Sequence, residues 1–107
     1  MTTWFRIYHE DEDLWLCFDA DDEGWATRQV DVRGADAQPV TAASLEEVLQ
    51  LRDHADPAAM GRYERQFGVL SDGSLAGWRD QPRAGEISAE EFERLWAAAR
   101  PALDGSP

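Results

Sequence analysis

The sequence predicts a small α+β domain, with an antiparallel sheet early in the chain and helices after it. Alternating aromatic and β-branched residues fill the first third of the chain, which is typical of strands. Two capped segments with helical periodicity begin at Ser44 and Ser88. A length of 107 residues is enough for one core. We therefore predict a single domain at residues 1–103 and a frayed tail at 104–107.

The N-terminal third predicts a three-stranded antiparallel meander. Strands are expected at residues 3–9, 14–18 and 25–33, where apolar and polar residues alternate. The short polar segments 10–13 and 19–24 separate these strands and are typical of turns. The strands are expected to pack against two or three helices.

Alternation along the third strand places one charged residue, Arg28, on the otherwise apolar face. That face contains Ala26, Arg28, Val30 and Val32, and the opposite face contains Thr27, Gln29 and Asp31. We interpret the second set as facing solvent. Arg28 then points inward, where it needs a carboxylate partner because an unpaired buried charge is very costly.

Three segments predict helices on one face of the sheet. Ser44 and Glu47 form a capping box that starts the first helix. Asp56 and Pro57 start a second helix, which ends before Gly68. The third helix begins after Ser88 and is expected to end at Pro101. The intervening segment 69–78 contains an Asp-Gly pair and predicts a loop or a weak hairpin.

Negative charge dominates the composition. The chain has 22 acidic residues against 10 cations, for a formal net charge of −12, and residues 10–23 contain eight carboxylates and no cation. This balance disfavours direct contact with nucleic acid phosphates or anionic membranes and favours a basic partner. The sequence shows no membrane span and no signal peptide, so we expect a cytoplasmic protein. It does not indicate an oligomeric state.

Two segments are similar to a family of small, uncharacterised bacterial domains. The first is the segment 19–32, in which Asp-Ala-Asp-Asp-Glu-Gly-Trp leads into Ala-Thr-Arg-Gln-Val-Asp-Val, and the second is Ile-Ser-Ala-Glu-Glu-Phe-Glu-Arg-Leu-Trp at 87–96. The resemblance implies a compact α+β domain and weakly favours a binding role. It implies no reaction and no catalytic residue. Residues 40–80 depart from the family pattern and resemble a helical insertion.

No motif in the chain predicts a catalytic or metal site. Asp19, Asp21 and Glu23 imitate the start of an EF-hand loop, but the residue at the bidentate twelfth position is Val30. Cys17 is the one cysteine, has no ligand spacing to a histidine, and is interpreted as a small buried strand residue. We therefore predict no cofactor and no metal.

The first functional hypothesis is an interaction protein that binds a basic protein partner, in its most specific form an immunity- or antitoxin-type inhibitor. Carboxylates would speed the encounter and an aromatic side chain would supply the apolar centre. The predicted binding residues are Glu10, Asp11, Glu12, Asp13, Trp15, Asp21, Asp22 and Glu23. Whether a helix covers the face that contains Trp15 stays open at this point.

Two alternatives remain from the sequence. One is a small-ligand domain or accessory enzyme of a biosynthetic cluster, with an aromatic pocket formed by Tyr8, His9, Asp19, Trp25 and Arg28. It requires His9, Asp19 and Arg28 to converge at one end of the meander. The other is a nucleic-acid mimic, whose carboxylates would be spaced like phosphates.

Overall fold

A computed structural model describes residues 1–54 and 56–104, apart from the side chain of His54. The strands are β1 (Thr3–His9), β2 (Leu14–Ala20), β3 (Ala26–Arg33), β4 (Gln38–Ser44) and β5 (Gly85–Glu86), and the helices are α1 (Leu45–His54), α2 (Pro57–Phe67) and α3 (Ala89–Asp104). The predicted α+β class is confirmed. The sheet has five strands in the order β4-β3-β2-β1-β5, with every pair antiparallel, rather than the three-stranded meander predicted.

The predicted helix starts are confirmed by capping hydrogen bonds. The hydroxyl of Ser44 accepts the N–H of Glu47 at 3.2 Å, and that of Ser88 accepts the N–H of Glu91 at 3.0 Å. The carboxylate of Asp56 accepts the N–H of Ala59 at 2.8 Å. Each bond satisfies a backbone donor that has no partner within its own helix.

The predicted end of α3 at Pro101 is wrong, because the helix continues to Asp104. Pro101 cannot donate a backbone hydrogen bond, but Leu103, two residues further on, packs against two core clusters and holds the helix in place. Asp104, expected in the tail, is therefore helical. The rest of the predicted tail, 105–107, lies outside the described residues.

Strand β4 is an addition to the predicted elements, because no strand was expected between residue 33 and the first helix. Its small residues have little intrinsic strand preference, but Ala42 and Ala43 are fully buried and let other elements approach closely. Ala42 packs with Phe92 and Ala99 of α3, and Ala43 packs with α2. Because adjacent strand residues point to opposite faces, helices contact both faces of β4, and the expectation of helices on one face is wrong.

Side chains cover the outer edge of β4, where backbone groups have no neighbouring strand. Arg100 donates to the carbonyl of Ala42 at 3.0 Å, and the Tyr63 hydroxyl accepts the N–H of Ser44 at 3.0 Å. Glu47 links the two by accepting from Arg100 at 2.7 and 2.9 Å and from Tyr63 at 2.6 Å. Partial burial opposes ionisation, but these hydrogen bonds lower the pKa of Glu47. The network blocks pairing of a foreign strand at this position.

The prediction that Gln29 and Asp31 face solvent is wrong, because they are only 5% and 7% exposed. The segment between α2 and β5 crosses this face of the sheet and packs Trp78 in a stack with Phe5, at a centroid distance of 4.3 Å. Gln29 accepts the N–H of Ser71 at 2.8 Å and donates to the Asp31 carboxylate at 3.0 Å. Burial raises the pKa of Asp31.

Cys17 is 1% exposed on the opposite face, in the cluster with Val30 and Phe92. This confirms its interpretation as a buried strand residue, and burial raises the pKa of its thiol to about 12. Across residues 1–54 and 56–104, the helices are too short or too polar to traverse a bilayer.

Candidate interaction surface

The predicted acidic residues form two separate turns at opposite ends of β2. The 10–13 turn joins β1 to β2, and the 21–24 turn joins β2 to β3. The seven residues of β2 separate the turns by about 20 Å at the rise of a strand. That distance exceeds the Debye length of about 8 Å at physiological ionic strength, so the turns act as two acidic surfaces rather than one.

The 10–13 turn presents Glu10, Asp11 and Glu12 on one turn of 3-10 helix, and all three are exposed. Asp13 closes the turn in the left-handed region, at φ 52°, and accepts the Tyr8 hydroxyl at 2.5 Å. That hydrogen bond raises the pKa of Tyr8. Among the described residues, no side-chain cation forms an ion pair with these four carboxylates.

The 21–24 turn is ordered by its own first carboxylate. Asp21 accepts the N–H groups of Glu23 at 2.9 Å and of Trp25 at 3.0 Å. Asp22 pairs with the amino group of Met1, and Glu23 is exposed. Gly24 adopts φ +84°, which closes the turn and places Trp25 directly after it with 41% of the residue exposed.

Arg28 has the inward direction and the carboxylate partner expected from the sequence. Its guanidinium donates to Asp19 at 2.7 and 3.2 Å and to Glu93 of α3 at 2.5 Å. It also lies over the rings of Phe92 and Trp96, at 4.9 and 5.2 Å from the centroids. Despite partial desolvation, the two carboxylates raise the pKa of Arg28. These contacts hold α3 against the sheet and leave the guanidinium neutralised within the protein.

The structure does not bring the alternative pocket residues together. His9 pairs with Leu14 at the start of β2, whereas Asp19 pairs with Arg28 near its end. Tyr8 and His9 therefore lie at the 10–13 end of the sheet, and the remaining residues lie at the 21–24 end. The expected convergence of His9, Asp19 and Arg28 is wrong, because an antiparallel hairpin places the end of β1 beside the start of β2.

Trp15 is half-buried and packs against the core cluster beneath α3. The Arg6 guanidinium lies 4.3 Å from its ring centroid, and the Tyr8 ring lies 4.9 Å away. A helix therefore covers the sheet face that contains Trp15, which answers the question left open by the sequence. Much of the area that Trp15 could offer to a partner is already in use.

A groove beside the 21–24 turn was missed from the sequence. It has a volume of about 490 Å³ and is half-open to solvent. Its walls come from the 21–24 turn with the start of β3, from α1, from α2 and from the segment 68–72. The apolar lining residues are Trp25, Ala26, Leu45, Val48, Met60, Val69 and Leu70, and the polar ones include Asp21, Arg52, Glu64 and Asp72. Four distant segments contribute, so no local pattern predicts the groove. The one sequence signal was a tryptophan directly after an acidic turn.

Comparisons of the chain with protein-family models, curated proteins and solved structures find no match.

Proposed function

We propose that this protein binds a basic protein partner through its exposed carboxylates and performs no catalysis. The observation behind the proposal is how its charges are distributed. The half-buried Arg28 and Arg100 are neutralised by carboxylates within the fold. The carboxylates of Glu10, Asp11 and Glu12 instead lie exposed and form no ion pair with a described side chain, and Arg33 donates only to the backbone carbonyl of Glu12.

The energetic cost of such a surface supports a binding role. Like charges in a short turn repel each other, so the 10–13 turn makes the folded chain less stable than a mixed surface would. A cationic partner relieves that repulsion and approaches faster in the field of the carboxylates. With a net charge of −12, long-range attraction acts before any contact forms.

The most specific form of this proposal is an immunity- or antitoxin-type inhibitor of a basic protein. Such inhibitors act by binding rather than by a chemical step, and their binding must be fast. Preformed electrostatic complementarity raises the association rate. The ordered 21–24 turn supports this form, because two backbone hydrogen bonds to the Asp21 carboxylate fix the backbone that carries Asp22 and Glu23 before any partner arrives.

The test is affinity capture from the native host at low salt, with three matched variants. Asp11→Asn/Glu12→Gln neutralises the first turn, Asp22→Asn/Glu23→Gln neutralises the second, and Asp80→Asn/Glu90→Gln removes the same charge elsewhere on the exposed surface. We expect wild type and the control to retain a protein with an isoelectric point above about 9. At least one turn variant should retain much less of it.

Two results would count against the proposal. The first is a partner that is neutral or acidic. The second is a basic partner retained equally by all three variants, because binding would then not depend on where the charges lie.

A further inference from the structure

We infer that the groove beside the 21–24 turn, here called the Trp25 groove, binds an apolar side chain on a cationic segment of the partner. This rests on the proposed function and names the contact that would anchor the complex. Steering by carboxylates raises the association rate, but a long-lived complex also needs a desolvated apolar centre. The groove offers exposed apolar side chains for such a centre.

Two of the four exposed large hydrophobic residues of the described chain lie at the groove. The four are Met1, Trp25, Leu49 and Val69. Trp25 and Val69 line the groove, with 41% and 64% of each residue accessible. Tryptophan is enriched among residues that dominate binding energy, because its large rigid surface orders at little entropic cost.

The shape of the groove fits a peptide segment. Its volume of about 490 Å³ is comparable to that of small-ligand sites, and because it is open on one side it can receive side chains from a segment that lies across it. A second concavity of about 400 Å³ extends along α1 and α2 and shares Arg52, Met60 and Glu64 with the first. The combined groove is therefore elongated, with space for consecutive side chains of one segment.

The charge around the groove selects a cationic occupant. Three carboxylates line it, from Asp21, Glu64 and Asp72, against one cation, Arg52. Asp56 adds a further carboxylate along the extension, and Asp22 and Glu23 belong to the adjoining turn. A segment with apolar residues flanked by Arg or Lys matches this pattern, whereas an acidic segment would be repelled.

The test is an NMR titration of the full ¹⁵N-labelled chain with two synthetic peptides. One is a short Arg-rich peptide with a central pair of leucines, and the other replaces those leucines by serines. We expect the leucine peptide to bind about tenfold more tightly, which corresponds to about 1.4 kcal/mol. It should shift the indole N–H of Trp25 and the amides of Met60 and Leu70.

Variants separate the groove from general charge attraction. Trp25→Ala and Val69→Ala should each remove most of the preference for leucine, and Trp25→Ala keeps the backbone bonds that order the turn. Leu49→Ala is the control, because Leu49 is 40% exposed but does not line the groove. It should leave the preference intact.

The outcomes distinguish this inference from the proposed function. Equal binding of both peptides, with shifts at the acidic turns only, would overturn the inference that the Trp25 groove binds an apolar side chain and would leave the proposed function standing. Loss of the leucine preference in Leu49→Ala would also overturn that inference. Binding of neither peptide at low salt would contradict both proposals.

Discussion

Replacement of Arg28 by methionine tests whether this residue is a structural link rather than part of a binding site. The change leaves Asp19, whose side chain is only 10% exposed, without its cationic partner. Removing one member of a buried pair costs about 3–5 kcal/mol. The Arg28 side chain is 25% exposed, so solvent screening reduces the expected loss to about 2–3 kcal/mol.

Urea and thermal unfolding measure the loss. In a domain of this size, about 2–3 kcal/mol corresponds to a fall in Tm of about 10–20 °C. Glu93→Gln removes the partner that is 52% exposed and should cost less than about 1 kcal/mol. The double variant Asp19→Asn/Arg28→Met should lose less than the sum of its single changes. Additive losses, or a loss below about 1 kcal/mol for Arg28→Met, would refute this reasoning.

Three further predictions concern two buried side chains and two glycines with positive φ. Cys17, with a pKa near 12 and 1% exposure, should resist thiol reagents at pH 8 until urea unfolds the chain, and rapid native labelling would contradict this. Burial raises the pKa of Asp31 in the folded protein, so the ionised carboxylate lowers the stability of the fold at pH values above the ordinary pKa of aspartate. Asp31→Asn should therefore raise Tm at pH 7, and the gain should vanish below about pH 4. Gly68 has φ +89°, and Gly68→Ala would in addition force a methyl group into the Thr41 side chain, so it should lower the free energy of unfolding by more than about 2 kcal/mol. Gly73 has a similar φ of +91° but no atom within 4 Å of the added methyl, so Gly73→Ala should lower it by about 1 kcal/mol. Equal losses for the two glycines would contradict the steric explanation.

Local signals in the sequence predicted the local structure well. The caps at Ser44, Asp56 and Ser88 each depend on residues within three positions of one another. The same is true of strand alternation in β1 to β3. The inward direction of Arg28 and its need for a carboxylate partner also followed from alternation alone, and in the structure hairpin pairing places Asp19 beside it.

The errors came from interactions between distant segments. Strand β4 forms because its alanines fit between α3 and α2, which no local propensity reveals. Gln29 and Asp31 look like solvent-facing residues, but the segment after α2 crosses this face and supplies the Ser71 N–H that Gln29 accepts, while Gln29 in turn donates to Asp31. Polarity predicts exposure only where nothing else crosses the face of a sheet.

The candidate site shows the same division. The sequence identified the acidic turns, and hairpin geometry could have placed them at opposite ends of β2. It selected Trp15 as the aromatic centre, although α3 covers the face that contains Trp15. Trp25 has the greater exposure, and its role in the groove depends on α1, α2 and the segment 68–72 meeting beside the 21–24 turn.

The most direct test of the central claim is the association rate of the captured partner as a function of ionic strength. For wild type, we expect the rate to fall by at least about tenfold when the salt concentration rises from about 50 to about 300 mM. Asp22→Asn/Glu23→Gln should flatten this dependence, and Asp80→Asn/Glu90→Gln should flatten it less. A rate that does not change with salt, or that changes equally in both variants, would contradict the claim that these carboxylates attract a basic protein.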